Sequence, residues 1–240
     1  MTLSQLTSKY RQLVIRRFAD FFSLGHVALN FPDTAEKLST RIPEHGSFKD
    51  YFPLSRASAV LPFMLVKLAA QDPGEVLFQT LPVPRNMHLH TVMDIPEVFC
   101  AHSSTFTTCH LPNMITTSFL SGRWHGCYTD QRHFRRDRID PPMRDIRIVS
   151  RAATADEARR VGANVIIDQE SRGVDSHGEF MLSGRVCEDG TVNLVKQYLV
   201  AGWAWTWLGQ VTPFGMVGAW GSRHQQTFGG YFWIWKEEWC

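Results

Sequence analysis

The chain is poor in the features that most often announce a function. Its 240 residues include only five cysteines, an odd number with no C-x-x-C pair, which argues against a secreted disulfide framework. No apolar run is long enough to cross a bilayer, and the start Met1-Thr2-Leu3-Ser4-Gln5 lacks a basic segment followed by an apolar core, so a cytoplasmic protein with no membrane span is expected. Excess charge is missing as well: the formal net charge is +2, and nothing demands a polyanionic partner such as a nucleic acid. There is no G-x-S-x-G, S-x-x-K or P-loop, and no G-x-G-x-x-G after a strand. These absences count against the commonest nucleophile motifs and against nucleotide, nicotinamide and flavin chemistry, and no cofactor is expected.

What the chain has in plenty is tryptophan near one end. All eight tryptophans lie at or after Trp124, and seven fall between Trp203 and Trp239. The same half is rich in strand-length runs cut by turn signals. Phe180 to Val186, Val192 to Val200, Trp203 to Val211 and Met216 to Trp220 are separated by Asp189-Gly190, Ala201-Gly202 and Thr212-Pro213-Phe214-Gly215. Asp-Gly between apolar runs predicts a two-residue type I′ hairpin. Arg123 to Asp130, Arg144 to Ser150, Asn164 to Glu170 and Gly230 to Lys236 bring the strands to eight, with Arg172 to Gly178 read as a turn and Ala152 to Arg160 as a turn or two of helix. An antiparallel meander of eight strands removes both exposed edges by closing on itself, and its lumen is filled by side chains or holds one small ligand.

The first half is different. Leu6, Tyr10, Leu13, Val14, Phe18, Phe21 and Phe22 recur at spacings of three and four, which predicts an amphipathic helix over Leu3 to Leu24 docked on the domain. Shorter helices are expected from Asp33 or Thr34 to Arg41 and from Ser55 to Ala70. From Gln71 to Phe119 prolines break the pattern. The resulting division is a helical and irregular extension, 1–118, packed on a barrel, 119–240.

Side-chain alternation puts Trp203, Trp205 and Trp207 on one face of their strand and Trp233 and Trp235 on one face of theirs. A core filled by indoles and a ligand pocket walled by them are the two readings. The number of large rings with few small partners favours the pocket. The expected wall is Trp124, Trp205, Trp207, Trp220, Trp233 and Trp235, and the expected polar groups are Lys196, Tyr198, Gln210 and Tyr128, as donors to a developing negative charge. Gln210 lies on the face opposite the tryptophans of its own strand.

Other clusters read more plainly. His88, His90, Cys100, His102, Cys109 and His110 offer ligand atoms without the spacing of a zinc site, so no metal is expected. The six arginines between Arg132 and Arg147 are interleaved with Asp137, Asp140 and Asp145 and read as a solvated loop. Asp168, Glu170, Asp175, His177 and Glu179 crowd one hairpin, whose tip is polar by default; His177 is kept as a minor candidate.

Gly122-Arg123-Trp124 at the first strand resembles the G-x-W start of lipocalin and calycin barrels, in which the Trp closes one end. The later stretch, with Gly178-Glu179-Phe180, Lys196-Gln197-Tyr198, Trp205-Thr206-Trp207, Thr212-Pro213-Phe214-Gly215 and Gly229-Gly230-Tyr231-Phe232-Trp233, is similar to the C-terminal lipocalin-like barrels of fungal F-box-type proteins. No F-box signature is present in the first half, so an adaptor role is not carried over. The resemblance implies a stand-alone fungal barrel of the kind used in secondary metabolism as a cofactor-independent cyclase, of pericyclic or Diels-Alder type, on a hydrophobic small molecule. The alternative is a barrel that binds a lipophilic ligand or a protein without catalysis.

Overall fold

The computed structural model describes residues 111–130, 140–212, 214–222, 224–225 and 227–239, with Phe52, Ala57, Val60, Leu61 and Met64. Nine strands follow one another along the chain: β1 (Gly122–Tyr128), β2 (Met143–Ile148), β3 (Ser150–Ala152), β4 (Ala163–Asp175), β5 (Gly178–Cys187), β6 (Thr191–Tyr198), β7 (Ala204–Thr212), β8 (Gly215–Ser222) and β9 (Thr227–Lys236). Antiparallel pairing runs β2-β1-β9-β8-β7-β6-β5-β4, and β2 pairs β4 to close the ring. The result is an eight-stranded antiparallel barrel of lipocalin-like kind. The short β3 continues β2 beyond Val149 and pairs with the start of β4.

Two local expectations are corrected. The segment from Arg172 is not a turn: β4 continues to Asp175, pairing Arg172 with Met181 and Asp175 with Gly178. A register shift interrupts the ladder between Ile167 and Ser171, where four steps along β4 oppose the two from Gly184 to Leu182 on β5, and extra residues of this kind disrupt the ladder locally without ending the pairing. The Asp189-Gly190 hairpin is also not a two-residue type I′ turn. Gly190 has φ +81° whereas Asp189 is not among the residues with positive φ, and the Gly190 amide donates to the Cys187 carbonyl at 3.0 Å. Asp189 holds the turn by accepting from the Thr191 amide at 2.9 Å and the Thr191 hydroxyl at 2.8 Å.

Burial divides the wall into two halves. Along β6 buried and more exposed residues alternate, with Val192, Leu194, Lys196 and Tyr198 inward, the signature of a strand with one face in solvent. Along β8 and β9 nearly every residue is buried, so these strands are covered on both faces. The neighbouring β7 is covered in part from upstream: Phe52 accepts a hydrogen bond at its carbonyl from Gln210 Nε2, 3.1 Å, on the outer face of that strand. Ala57, Val60, Leu61 and Met64 are helical and fully buried in the same core. They fall within the helix expected over Ser55 to Ala70; the helices expected over Leu3 to Leu24 and to Arg41 lie outside the described residues. Leu111–Met114 and Thr117–Leu120 form two single-turn helices before β1, in a stretch read as irregular.

One end of the barrel is shut. Trp124 donates its indole N–H to the Leu120 carbonyl at 2.9 Å. The Lys236 ammonium lies 5.1 Å from the Trp124 ring centroid and 5.4 Å from that of Phe119, and donates to the Ser121 carbonyl at 2.6 Å. Burial disfavours the charged form of Lys236, and the indole face, the Ser121 carbonyl and the charge of Glu238 offset part of that cost. The middle of the lumen is filled: Trp207 stacks on Phe232 with centroids 4.3 Å apart. Room for that pair comes from Gly209 and Gly218, directly opposed across β7 and β8; a Cβ on Gly218 would sit 2.7 Å from the Phe232 ring and 2.1 Å from the Leu208 carbonyl oxygen.

Candidate functional site

The other end of the barrel is organised around one buried ion pair. Asp175, the last residue of β4, points inward, and Lys196 of β6 donates to its Oδ2. Tyr198, two residues on along the same inner face, donates to the same oxygen at 2.6 Å. Lys196 is only 2% exposed. Its ammonium sits among the rings of Phe180, Tyr128, Tyr198 and Trp207, at 4.1, 4.7, 5.0 and 5.4 Å from their centroids, and the Met143 sulfur is 3.6 Å away. The cation is therefore held by one carboxylate and a box of aromatic faces, both of which favour its charged form.

Next to this pair the mouth is spanned by a second polar link. Tyr128 Oη and His177 Nδ1 are 3.1 Å apart, joining the end of β1 to the turn between β4 and β5. That turn is fixed because the His177 amide donates to Asp175 Oδ1 at 2.8 Å. Ser176 Oγ also lies 3.1 Å from His177 Nδ1.

Desolvation dominates the proton affinities here. Burial pulls the Lys196 ammonium down to a pKa of about 8, outweighing the upward pull of Asp175 by charge and hydrogen bond. Burial first, then its bond to Asp175, pushes the Tyr198 phenol up, and burial with the Asp175 charge does the same to Tyr128. Both phenols are thus held as proton donors. Asp140 is raised by burial and by the neighbouring charge of Asp130, and its Oδ2 is buried with no partner among the described residues.

A cavity of about 30 Å³ opens here, lined by Tyr128, Asp130, His177, Lys196 and Tyr198 and by Trp203, Trp205, Trp207 and Trp220. That volume holds about two water molecules. Pockets that enclose a drug-sized guest are roughly ten times larger, so the hollow accepts a head group while the rest of a guest would lie against the rim. The rim is aromatic: Trp205 meets Trp220 edge-on at 5.4 Å, Tyr198 meets Trp203 at 6.3 Å, and Trp203 is 55% exposed. Trp220 is pinned by its indole N–H, which donates to the Thr129 carbonyl at 2.9 Å.

The structure thus brings together Lys196, Tyr198 and Tyr128 with Trp205, Trp207 and Trp220. It separates the rest of the expected set. Gln210 is on the outer face of β7, bonded to Phe52 and to Thr191 Oγ1. Trp233 and Trp235 also face outward, because β9 turns Phe232, Ile234 and Lys236 to the lumen; the two rings lie 4.7 Å apart beneath the cover of the outer wall. Trp124 faces inward but closes the far end. In the sequence Asp175 reads as a polar tip residue, because Gly173 and the polar residues around it give the end of β4 the composition of a turn. Met143 and Phe180 carry no signal of their own beyond hydrophobicity, whereas Trp203 shares by alternation the face of Trp205 and Trp207.

The histidine and cysteine cluster from His88 to His110 and most of the arginine-rich loop lie outside the described residues. Among the described residues no group of three His, Cys, Asp or Glu side chains could hold a metal, and no helix is long and apolar enough to cross a membrane. Comparison of the chain with protein-family models, with curated proteins and with solved structures gives no significant match.

Proposed function

We propose that the open end of the barrel binds a hydrophobic small molecule bearing a carbonyl or similar acceptor and promotes its cyclisation or isomerisation without a cofactor. The observation that carries this reading is the junction, at one cavity, of exposed and half-buried indoles with a linked set of proton donors, Lys196, Tyr198 and Tyr128, around Asp175. An acceptor oxygen seated in the hollow would meet the Lys196 ammonium, which has N–H groups beyond the one given to Asp175, and would compete with Asp175 for the Tyr198 proton. One such donor is worth about 3–4 kcal/mol when charge grows on an oxygen in the transition state. Stacking of an unsaturated chain on Trp203, Trp205 and Trp220 would hold it in a reactive conformer, and orientation alone can contribute several kcal/mol more. Pericyclic ring closure, including the Diels-Alder type, asks for these two effects and little else. The resemblance to fungal F-box-type barrels supports a setting in fungal secondary metabolism, at the level of fold analogy.

A second reading is favoured by the small volume of the hollow: a binding barrel that holds a lipophilic ligand by one end and transforms nothing. The two separate in one experiment. Purified protein is incubated with linear polyene carbonyl compounds, product ratios are followed by chromatography, and tryptophan fluorescence is recorded in parallel. Accelerated or stereochemically altered ring closure that is lost in Tyr198→Phe supports catalysis. Quenching with unchanged product ratios leaves the binding barrel and removes the cyclase.

A further inference from the structure

We propose that Lys196 is a covalent amine nucleophile, which condenses with an aldehyde or ketone seated at the barrel mouth to form an iminium ion paired with Asp175. The proposal rests on the binding half of the reading above, entry of a carbonyl compound at this end, and is independent of cyclisation.

Three features of the site point to it. Lys196 lines the cavity, so a carbonyl compound in the hollow would meet this side chain. The surroundings are built for a cation that cannot be solvated: Asp175 on one side, and the rings of Tyr128, Phe180, Tyr198 and Trp207 on the others. An iminium nitrogen carries the same charge in the same place, so the product keeps the ion pair with Asp175 and the aromatic surroundings, with one N–H left to donate. An acid and a base for the proton traffic are also in contact. Lys196 passes a proton to Asp175 and becomes a neutral amine; its lone pair attacks the carbonyl carbon, the C=O π pair moves to oxygen, and one proton passes from the now positive nitrogen to that oxygen, giving a neutral carbinolamine. Asp175, with Tyr198 hydrogen-bonded to the same oxygen, returns its proton to the departing hydroxyl. The C–O bond breaks, water leaves, and the C=N bond forms. In sum, ammonium and carbonyl give iminium and water, with no oxidant or further reactant. Desolvation, which lowers the proton affinity of Lys196, keeps the neutral amine accessible near neutral pH, as in other lysines that form Schiff bases.

The test is trapping. The full chain is treated with benzaldehyde and borohydride, and separately with acetylacetone, which forms a stable enaminone with a neutral lysine; adducts are located by peptide mapping. The expected result is labelling of Lys196 about tenfold or more faster than the exposed lysines at pH 8, since an ordinary lysine is almost wholly protonated there. The rate should rise through pH 8. Asp175→Asn should move that rise to lower pH, because the carboxylate that favours the ammonium is gone. Lys196→Arg keeps the charge and should abolish the adduct; should that variant fail to fold, the loss of selectivity of the native chain in urea serves instead. Labelling spread over surface lysines with Lys196 untouched, or a pH profile unmoved by Asp175→Asn, would mean a structural ion pair only and overturn the proposal. Labelling without any ring closure would sink the cyclase reading and leave this one standing.

Discussion

Asp175 and Lys196, on strands that are not neighbours in the sheet, meet inside the barrel with both side chains almost fully removed from solvent. Their contact ties β4 to β6 across β5 and decides what the open end of the barrel can do. A buried pair of this kind is costly to break, because removing either partner strands the other charge in a medium that cannot solvate it.

Asp175→Asn should therefore destabilise the fold by about 3–5 kcal/mol, and Lys196→Met by a comparable amount. The double variant should lose clearly less than the sum of the two. Urea denaturation of all four proteins reads the coupling directly, and additive losses would show that the pair is not a unit.

The same pair sets a pH dependence whose sign follows from proton counts. Between pH of about 8 and 10.5 the unfolded chain keeps a proton on Lys196 that the folded chain has released. Unfolding then takes up a proton, and stability contributed by this group rises with pH across that window, by an amount on the order of 3 kcal/mol. Above pH 10 the raised phenols of Tyr128 and Tyr198 act in the opposite direction, since the unfolded chain loses protons that the folded chain retains. The difference in unfolding free energy between the native chain and Lys196→Met should thus grow in favour of the native chain from pH 8 to pH 10. A flat difference would place the ammonium in solvent.

How much of this could be read beforehand depended on whether a residue's role is local. The barrel was legible because alternation, turn residues and strand-length runs are properties of short segments, and the pairing of Lys196 with Tyr198 on one face follows from a period of two. Inside and outside were less accessible. Trp233 and Trp235 share a face as expected, but which face meets the lumen depends on what packs on the outside of the wall, and some of that is distant in sequence: Phe52 reaches Gln210 of β7 across 158 positions. Asp175 was hidden for another reason. A strand that bends at a shifted register and ends in Gly173-Val174-Asp175-Ser176 has the composition of a turn.

Inner and outer tryptophans should respond to truncation in opposite ways. Trp235→Ala removes a ring that is 1% exposed on the outer wall and should cost about 3–5 kcal/mol in stability while leaving guest binding at the mouth unchanged. Trp205→Ala, at the half-buried rim, should weaken guest binding with a smaller loss of stability. Thermal unfolding and fluorescence titration of the two variants give the comparison.

The glycines beneath Phe232 are set by backbone contact. A methyl group on Gly218 would meet the Leu208 carbonyl and the Phe232 ring, so Gly218→Ala should cost about 1–3 kcal/mol or more and disturb the stack of Phe232 on Trp207. Loss of near-ultraviolet circular dichroism together with a lower denaturation midpoint checks this.

The central claim, that a guest enters at the end of the barrel marked by Lys196 and the rim indoles, is tested most directly by fluorine NMR of the fluorotryptophan-labelled chain titrated with acetophenone. The resonances of Trp203, Trp205, Trp207 and Trp220 should shift saturably, while those of Trp124, Trp233 and Trp235 stay in place. Shifts confined to the outer pair, or none at all with ketone at millimolar excess, would contradict it.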